Sequence, residues 1–244
     1  MPARFLSSGD HALIVEFGDR VDRALNREVL RLDAVLRAER LHGVIETVPT
    51  FRSLMVHYDP LATSRTVLEH AIGRLLDRGG GAPREARRWR VPICYEGGFA
   101  PDLDEVARLT GLTPAEVAAL HQAPCYHVYM LGFLPGLPYL GDLPEALNLP
   151  RRADPRLRVP AGSVSIATSL STIYPYESPG GWHLIGATPI RLFDAGRTPP
   201  ALLAPGDAVR FEPIDADAFL ALRRAAEAGG GQIDSEPLAA CPPD

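Results

Sequence analysis

Two hydrophobic periods alternate along the first part of the chain. Apolar residues at every second position predict strands, and apolar residues at every third or fourth position predict amphipathic helices. The predicted strands are 11–17, 44–48 and 54–58. The predicted helices are 22–39 and 64–77. The order β-α-β-β-α predicts a small two-layer α+β domain over residues 1–83, which ends in a glycine-rich linker.

A second domain is predicted over residues 84–215, where short apolar segments are separated by proline and glycine. The predicted strands are 90–95, 126–131, 158–160, 164–167, 182–186, 190–193 and 208–212. Many short strands with such turns predict an all-β barrel or sandwich. Residues 216–244 are predicted to form a short helix over 218–228, ended by three glycines, and a flexible tail.

Two short helices are predicted after the first strand of this second domain. Each has a polar residue followed three positions later by glutamate, which is typical of a capping box. The two signatures are Asp102-x-x-Glu105 and Thr113-x-x-Glu116, the second with proline at the first helical position.

Composition narrows the classes of function. The chain has 244 residues and a net charge of −5, which argues against a nucleic-acid partner because DNA- and RNA-binding faces are basic. No apolar run approaches the roughly 18 residues of a membrane span. No N-terminal signal pattern is visible, so we expect a cytoplasmic protein without membrane contact. The three cysteines and seven histidines do not cluster at ligand spacing, so no metal site is expected.

The sequence contains no lysine, so every permanently charged basic side chain is an arginine. A Walker A loop cannot be complete in this chain, because that loop needs its lysine. A Schiff-base mechanism and a biotin attachment site are excluded for the same reason. Any anion must therefore be bound by arginine, by backbone N–H groups or by helix N-termini.

Four segments could carry chemistry, and the first two are a rigid loop and an arginine cluster. Residues 131–140 alternate glycine, proline and aromatic residues, which pre-sets the backbone; the alternative is a barrel corner. Residues 150–160 place four arginines among prolines. Arginine forks bind carboxylate or phosphate, and the alternative is a solvated, salt-bridged loop. The candidate ligand-site residues are Pro135, Gly136, Tyr139, Arg151, Arg156, Arg158 and Pro160.

The other two segments are a tight turn and a proline- and glycine-rich loop. The turn at Gly162 and Ser163 either exposes the serine hydroxyl to a ligand or lets it bond its own backbone. Residues 173–186 allow close approach of a ligand to the backbone, although Trp182 is more often a core residue. His121 is either a helix cap or a site residue. The further candidates are Tyr174, Ser178, Pro179, Gly180 and Gly181. These residues alone favour a small anionic substrate.

Short motifs from the four segments occur in a fixed order that one known family shares. The matching residues are Gly132-Phe133, Pro135-Gly136, Tyr139-Leu140, Pro150-Arg151, Pro155-Arg156, Val159-Pro160, Gly162-Ser163-Val164, Ile173-Tyr174-Pro175, Ser178-Pro179-Gly180-Gly181-Trp182 and Leu184-Ile185-Gly186. Over roughly residues 5–215 the chain resembles the family of 5-oxoprolinase B-subunits. That family is also called allophanate hydrolase subunit 1 or the kinase-A-inhibitor family, and it is built from carboxyltransferase subdomains C and D.

The resemblance implies a cyclophilin-like β-barrel after the α+β domain. It also implies two partners, the C and A subunits, without which the chain is inactive. The assembly is a hydrolase of a cyclic amide: it converts 5-oxo-L-proline, ATP and water to L-glutamate, ADP and phosphate. Phosphorylation of the amide oxygen makes the unstrained lactam electrophilic. ATP is expected to be handled by the complex, and no catalytic residue of this chain is identified.

One segment departs from the family pattern. The family has a glycine-rich run ending Gln-Thr-Gly, whereas residues 165–172 lack those glycines and have Leu170 in place of the glutamine. This difference predicts a reshaped loop with altered or lost activity. Two alternative functions stay open: a non-catalytic regulator that binds a sensor histidine kinase, and a carboxyltransferase-type subunit of urea or allophanate metabolism.

Overall fold

The computed structural model describes residues 3–81, 84–228 and 233–238. They divide into two compact units, one ending at Ala86 and the other beginning at Arg87. The last two residues of the predicted linker, the three glycines after the last helix and most of the predicted tail lie outside the described residues. Within the described part, no helix is both long enough and apolar enough to cross a membrane.

The first unit is an antiparallel sheet with two helices packed on it. Its elements are β1 (Arg4–Ser7), β2 (Ala12–Glu16), α1 (Arg23–Glu39), β3 (Val44–Pro49), β4 (Ser53–Tyr58) and α2 (Arg65–Arg78). The strands lie in the order β1-β2-β4-β3. This arrangement has the two layers that the sequence predicts.

One apolar core joins the helices of the first unit to its sheet. Leu13 and Leu54 of the sheet pack in the same cluster as Leu32 and Ile72 of the helices, and each of the four is at most 1% exposed. Burying each of these side chains contributes about 1.5–3 kcal/mol. Helix α1 begins where the Asp22 carboxylate accepts hydrogen bonds from two amides of the first turn.

The two helices and three of the strands in this unit are confirmed to within one residue. Strand β1 was not predicted. It lies at the edge of the sheet, where Phe5 alone among its residues is partly buried. One half-buried side chain gives too weak an alternation to reveal a strand.

The second unit contains a large sheet, a two-stranded ribbon and short helices. Its strands are β5 (Arg87–Ile93), β6 (Tyr126–Leu131), β7 (Pro138–Gly141), β8 (Arg156–Val159), β9 (Ser163–Ala167), β10 (Leu170–Ile173), β11 (Ser178–Gly180), β12 (His183–Ala187), β13 (Ala208–Pro213) and β14 (Ser235–Pro237). Its helices are α3 (Leu103–Thr110), α4 (Pro114–Gln122) and α5 (Ala216–Glu227), with 3₁₀ turns at Gly97–Phe99 and Glu145–Leu147. The large sheet has the order β12-β9-β10-β7-β6-β13-β5-β14, and β11 pairs with β8.

The predicted β-barrel is not closed among the described residues. The ladder has two ends, and β12 meets the residue after β5 in a single bridge between Cys94 and Ala187, with N···O distances of 2.8 and 2.9 Å. Continuing this antiparallel pairing would place Pro92 opposite Pro189. Proline has no amide hydrogen to donate, so the bridge cannot lengthen into a ladder on that side.

The strand predicted over 190–193 is also wrong. Phe193 makes one bridge, with Ala201, and the Leu192 carbonyl accepts a hydrogen bond from the Leu202 amide at 2.7 Å. The backbone polar groups are thus satisfied within a loop. Four short strands, β7, β10, β11 and β14, were not predicted, because three or four residues offer too little alternation to detect.

The two predicted capping boxes have different outcomes. At α4, the Thr113 and Glu116 side chains cap each other's backbone amides, which confirms the prediction. At α3, Asp102 precedes the helix but its side chain caps no amide of the first turn. Its carboxylate instead accepts hydrogen bonds from Arg156 and from the amide of Leu184.

Gly162 sits at the turn into β9, and its backbone is used on both sides. Its amide donates to the Tyr174 carbonyl at 2.7 Å, and its carbonyl accepts from the Thr188 amide at 2.8 Å. Its φ is +83°, and a Cβ atom there would lie 2.3 Å from the Thr188 carbonyl oxygen. Both the backbone conformation and the space therefore require glycine.

A left-handed backbone conformation costs an L-residue roughly 1–2 kcal/mol. We expect Gly162→Ala to lower the free energy of unfolding by more than this amount, because the added Cβ atom also meets the Thr188 carbonyl oxygen. Gly111→Ala is the matched control, because Gly111 has φ +73° with open space around it. Urea denaturation of both variants measures the difference. Equal losses would mean that the Thr188 carbonyl moves aside at no cost.

Candidate functional site

One face of the large sheet carries a row of side chains that crosses four strands. Leu184 pairs with Ser165, Ser165 with Thr172, and Thr172 with Tyr139, across β12, β9, β10 and β7. Directly paired residues project to the same face of a sheet. The row therefore sets two hydroxyl groups between an aliphatic and an aromatic side chain.

Aromatic rings surround this row. The Tyr139 and Trp182 rings meet edge to face, with centroids 6.2 Å apart. Tyr174 is buried and packs in the same small cluster as Leu184. A Cβ atom at Gly180 would lie 2.4 Å from the Tyr174 hydroxyl oxygen, so glycine there lets the Ser-Pro-Gly-Gly segment close over the phenol.

The hydroxyl groups of Ser165 and Thr172 differ in their hydrogen bonds. Burial raises the pKa of the Tyr174 phenol, and the neighbouring Ser165 and Arg151 offset part of that rise, so the phenol is neutral. The geometry of a hydrogen bond is nevertheless not met at Ser165 Oγ, which is buried with no partner among the described residues. Thr172 Oγ1 donates to the Pro138 carbonyl at 2.6 Å. Ser165 Oγ is thus the less well satisfied of the two hydroxyl groups.

The glycine- and proline-rich loop before β7 bounds the site on the Tyr139 side. Its side chains Leu134 and Leu137 pack in the same cluster as Tyr139. Gly136 has φ +78° and is buried against Phe193, whereas Pro135 is exposed. The loop therefore combines an apolar inner side with an exposed proline.

Two of the four arginines in the arginine segment (150–160) are held by one buried carboxylate. Arg156 donates through both terminal nitrogens to the two oxygens of Asp102, one of them at 2.8 Å. Arg152 donates to Asp102 at 3.2 Å and to Glu105 at 2.7 Å. The Leu184 amide donates to Asp102 Oδ2 at 2.6 Å. Asp102 therefore connects the start of α3, strand β12 and the arginine segment.

The other two arginines of this segment differ from each other. Arg158 is exposed and pairs with Glu177, with a nitrogen–oxygen distance of 2.8 Å. Arg151 is also exposed, and among the described residues it has no ion pair. Of the arginines predicted to bind an anion, Arg151 is thus the one whose charge is not already matched by a carboxylate.

A family model described as the carboxyltransferase domain, subdomain C and D, matches residues 3–203. The chain belongs to this family. Two curated bacterial proteins, each named as the B-subunit of 5-oxoprolinase, are similar to it. The Bacillus subtilis protein is 39% identical over 217 residues, covering 84% of this chain and 90% of that protein. The Escherichia coli O157:H7 protein is 40% identical over 212 residues, covering 86% and 96%.

Solved structures of longer proteins share the fold. TTHA0988 matches with a TM-score of 0.75 and 39% identity over 84% of this chain, which spans 40% of that protein. The K. lactis urea amidolyase matches with a TM-score of 0.80 over 96% of this chain, which spans 16% of it. At 21% identity the second likeness shows the fold alone.

In this carboxyltransferase-family chain, the Ser-Pro-Gly-Gly segment lies against the arginine segment. Ser178 and Gly180 belong to β11 and pair with β8, while Pro179 between them is exposed. The carbonyl of Gly181 accepts a hydrogen bond from the Arg152 amide at 2.8 Å. The structure thus brings together two of the segments that the sequence predicts for the site.

The turn that contains Pro160, Gly162 and Ser163 leads from β8 to β9. Pro160 is exposed, and the other two residues are buried. The Ser163 amide donates to the Pro160 carbonyl at 3.2 Å, and the Ser163 carbonyl accepts from the Tyr174 amide at 2.9 Å. The backbone of this turn is therefore occupied within the fold.

His121 lies on the opposite face of the sheet from the row. Its Nδ1 pairs with the Tyr95 hydroxyl at 2.8 Å and its Nε2 with Ser171 Oγ at 3.0 Å. Ser171 precedes Thr172 in β10, and successive side chains of a strand alternate in direction. Burial lowers the pKa of His121 to about 3, so the imidazole is neutral. The structure does not bring this candidate to the row.

Sequence reasoning did not name Asp102, Ser165 or Thr172 as site residues. Asp102 has the spacing of a helix cap, which concealed its role. Residues 165–172, predicted as a reshaped loop, form a tight hairpin of β9 and β10 with Thr168 at φ +52° in the turn. The polar and apolar alternation of 163–166 was the available signal for Ser165.

We expect the free energy of unfolding to decrease as the pH is lowered, because His121 is buried in its neutral form. Its pKa is about 3 in the folded state against 6.5 ordinarily, so the unfolded state takes up a proton that the folded state does not. Stability is therefore full above pH 6.5 and is lost as pH falls, by up to about 1.4 kcal/mol per pH unit. Urea denaturation at several pH values measures the slope. His121→Gln should flatten it, and the exposed His42→Gln should not; an unchanged slope in His121→Gln assigns the proton to another group.

Ser165 and Ser171 allow a matched comparison of hydroxyl groups. Ser165→Ala removes a buried, unpartnered oxygen, so the free energy of unfolding should stay within about 1 kcal/mol of wild type or rise. Ser171 Oγ bonds His121 and the Ser165 carbonyl, so Ser171→Ala should cost about 1–2 kcal/mol. Thermal or urea denaturation compares the two. A larger loss for Ser165→Ala would reveal an internal partner for that hydroxyl.

Proposed function

We propose that the chain is one component of an ATP-dependent 5-oxoprolinase, which converts 5-oxo-L-proline to L-glutamate together with C and A subunits. The observation that carries the proposal is Arg151, an exposed arginine without a carboxylate partner among the described residues, whose two neighbours in sequence bond to the residues on either side of Trp182. The names of the two bacterial relatives support the same reading.

The substrate fits the chemistry of this face. 5-Oxo-L-proline has one carboxylate, a flat five-membered ring and a lactam. Arg151 would hold the carboxylate by a charge-assisted hydrogen bond. The ring would rest against Tyr139 and Trp182.

The reaction needs groups beyond those of this face. An unstrained lactam resists water until its oxygen is phosphorylated, and that step needs a phosphate-binding site and a base. In the described residues, Asp102 is fully engaged by arginines and His121 is buried on the opposite face of the sheet. We therefore propose that partner subunits supply the ATP site and the base, while this chain binds and orients 5-oxoproline.

A second candidate is a carboxyltransferase-type subunit that acts on urea or allophanate. A curated Emericella nidulans protein named as a putative urea carboxylase, 27% identical to this chain over 161 residues, supports it. Urea carries no carboxylate, whereas allophanate does, so Arg151 would serve the latter. Turnover assays with 5-oxoproline and with allophanate separate the two candidates.

The decisive experiment reconstitutes the chain with C and A subunits of 5-oxoprolinase. We expect 5-oxoproline-dependent ATP hydrolysis and glutamate release that disappear when this chain is omitted. A complex that turns over only allophanate would favour the second candidate. A chain that forms no complex but binds a sensor histidine kinase would replace both with a regulatory role.

We expect Arg151→Gln to raise the KM for 5-oxoproline by roughly tenfold to a hundredfold, because a hydrogen bond to a charged group contributes about 1.5–3 kcal/mol. Little change is expected in kcat if the carboxylate is bound equally in the ground and transition states. The matched control is Arg108→Gln, an exposed arginine of α3. Equal KM values in wild type and Arg151→Gln would remove Arg151 from the site.

A further inference from the structure

Asp102 is a buried carboxylate whose acceptor capacity is largely filled. The residue is 2% exposed. Its oxygens accept from both terminal nitrogens of Arg156, from Arg152 and from the Leu184 amide. Its own amide donates to the Leu184 carbonyl at 2.9 Å. A carboxylate in such a place is stable only while these partners stay, so the geometry of the cluster is fixed.

Arg152 and Arg156 already pair with carboxylates of the protein, so they are less available to bind a ligand. Arg152 and Arg156 have side chains 22% and 26% exposed and face Asp102 at a side-chain exposure of 3%. Their charges are matched inside the protein. A carboxylate ligand approaching the arginine segment therefore meets Arg151 with its charge unmatched, next to two neighbours that are already neutralised.

The backbone on both sides of Arg151 is held in place. On one side, the Pro150 carbonyl accepts a hydrogen bond from His183 Nε2 at 3.0 Å. On the other side, the Arg152 amide donates to the Gly181 carbonyl at 2.8 Å, and the Arg152 side chain reaches Asp102. A residue whose two neighbours are anchored has few backbone conformations, so the direction of its Cα–Cβ bond is restricted.

We infer that Asp102 is a positioning residue: it fixes and neutralises Arg152 and Arg156, and thereby directs Arg151 alone toward a carboxylate ligand. The inference rests on the proposed function, because it assigns the selectivity of that same site. Asp102 does not touch the substrate. It acts through the arginine segment and through Leu184, whose side chain belongs to the row.

A double-mutant cycle in the reconstituted assembly tests this role. Asp102→Asn and Arg151→Gln should each raise the KM for 5-oxoproline by about tenfold or more, with kcat per folded protein changing by less than about twofold. The double variant should be no worse than Arg151→Gln alone, because both changes abolish the same contact. KM rises that multiply in the double variant would overturn the inference, as would a fall in kcat at constant KM.

Controls separate positioning from folding. Asp154→Asn makes the same chemical change at an exposed position of the arginine segment and should match wild type. If Asp102→Asn fails to fold, Arg152→Gln takes its place in the cycle, because it removes one anchor and leaves the Asp102–Arg156 pair. The same non-additivity with Arg151→Gln is then expected, and additivity overturns the inference.

A readout without turnover keeps this inference distinct from the proposed function. Amide hydrogen exchange on the isolated chain should be at least tenfold faster at Arg152 in Asp102→Asn than in wild type, and unchanged at the Ile166 amide of β9. Unchanged exchange at Arg152 overturns the inference even if the assembly is active. Fast exchange at Arg152 in an assembly that does not turn over 5-oxoproline contradicts the proposed substrate and leaves the anchoring by Asp102 standing.

Discussion

Strands β9 and β10 must bury side chains on both faces, and this constraint shapes the second unit. Val164, Ile166 and Ile173 belong to the main core on one face. Ser165 and Thr172 project to the other face, where a smaller cluster around Tyr174 covers them. Polar side chains in such a place are costly unless they are bonded. The far side of the sheet is therefore covered by a small apolar cluster that contains Tyr174 and Tyr139, rather than by a second full core.

The helices of the first unit could be predicted because each has a wide apolar stripe and a polar residue at its start. The motifs that surround the site were also visible, since proline and glycine constrain the backbone through their own chemistry. Asp102 was harder to recognise. An aspartate just before a helix can cap that helix or can bind arginine side chains in the protein interior. Only the contact with Arg152, fifty residues later, shows that Asp102 does the second.

The open sheet and the identity of the unmatched arginine depend on long-range geometry as well. Pro92 and Pro189 are far apart in sequence, and nothing local indicates that they would stand opposite each other beyond the Cys94 bridge. The four arginines of the arginine segment look equivalent in sequence. Their difference arises because Asp102, Glu105 and Glu177 arrive from other parts of the chain. The local sequence pattern predicts helices and strands, whereas ion pairs between distant residues decide which arginine side chains can still bind a ligand.

The single bridge between Cys94 and Ala187 gives the second unit a seam. Two hydrogen bonds hold it, whereas the neighbouring strands are joined by continuous ladders. Cys94 and Ala187 are both buried in one cluster with Phe219 of α5. The two ends of the ladder are therefore held together by apolar packing against a helix from the end of the chain as well as by two hydrogen bonds, so the integrity of the sheet depends on the docking of α5.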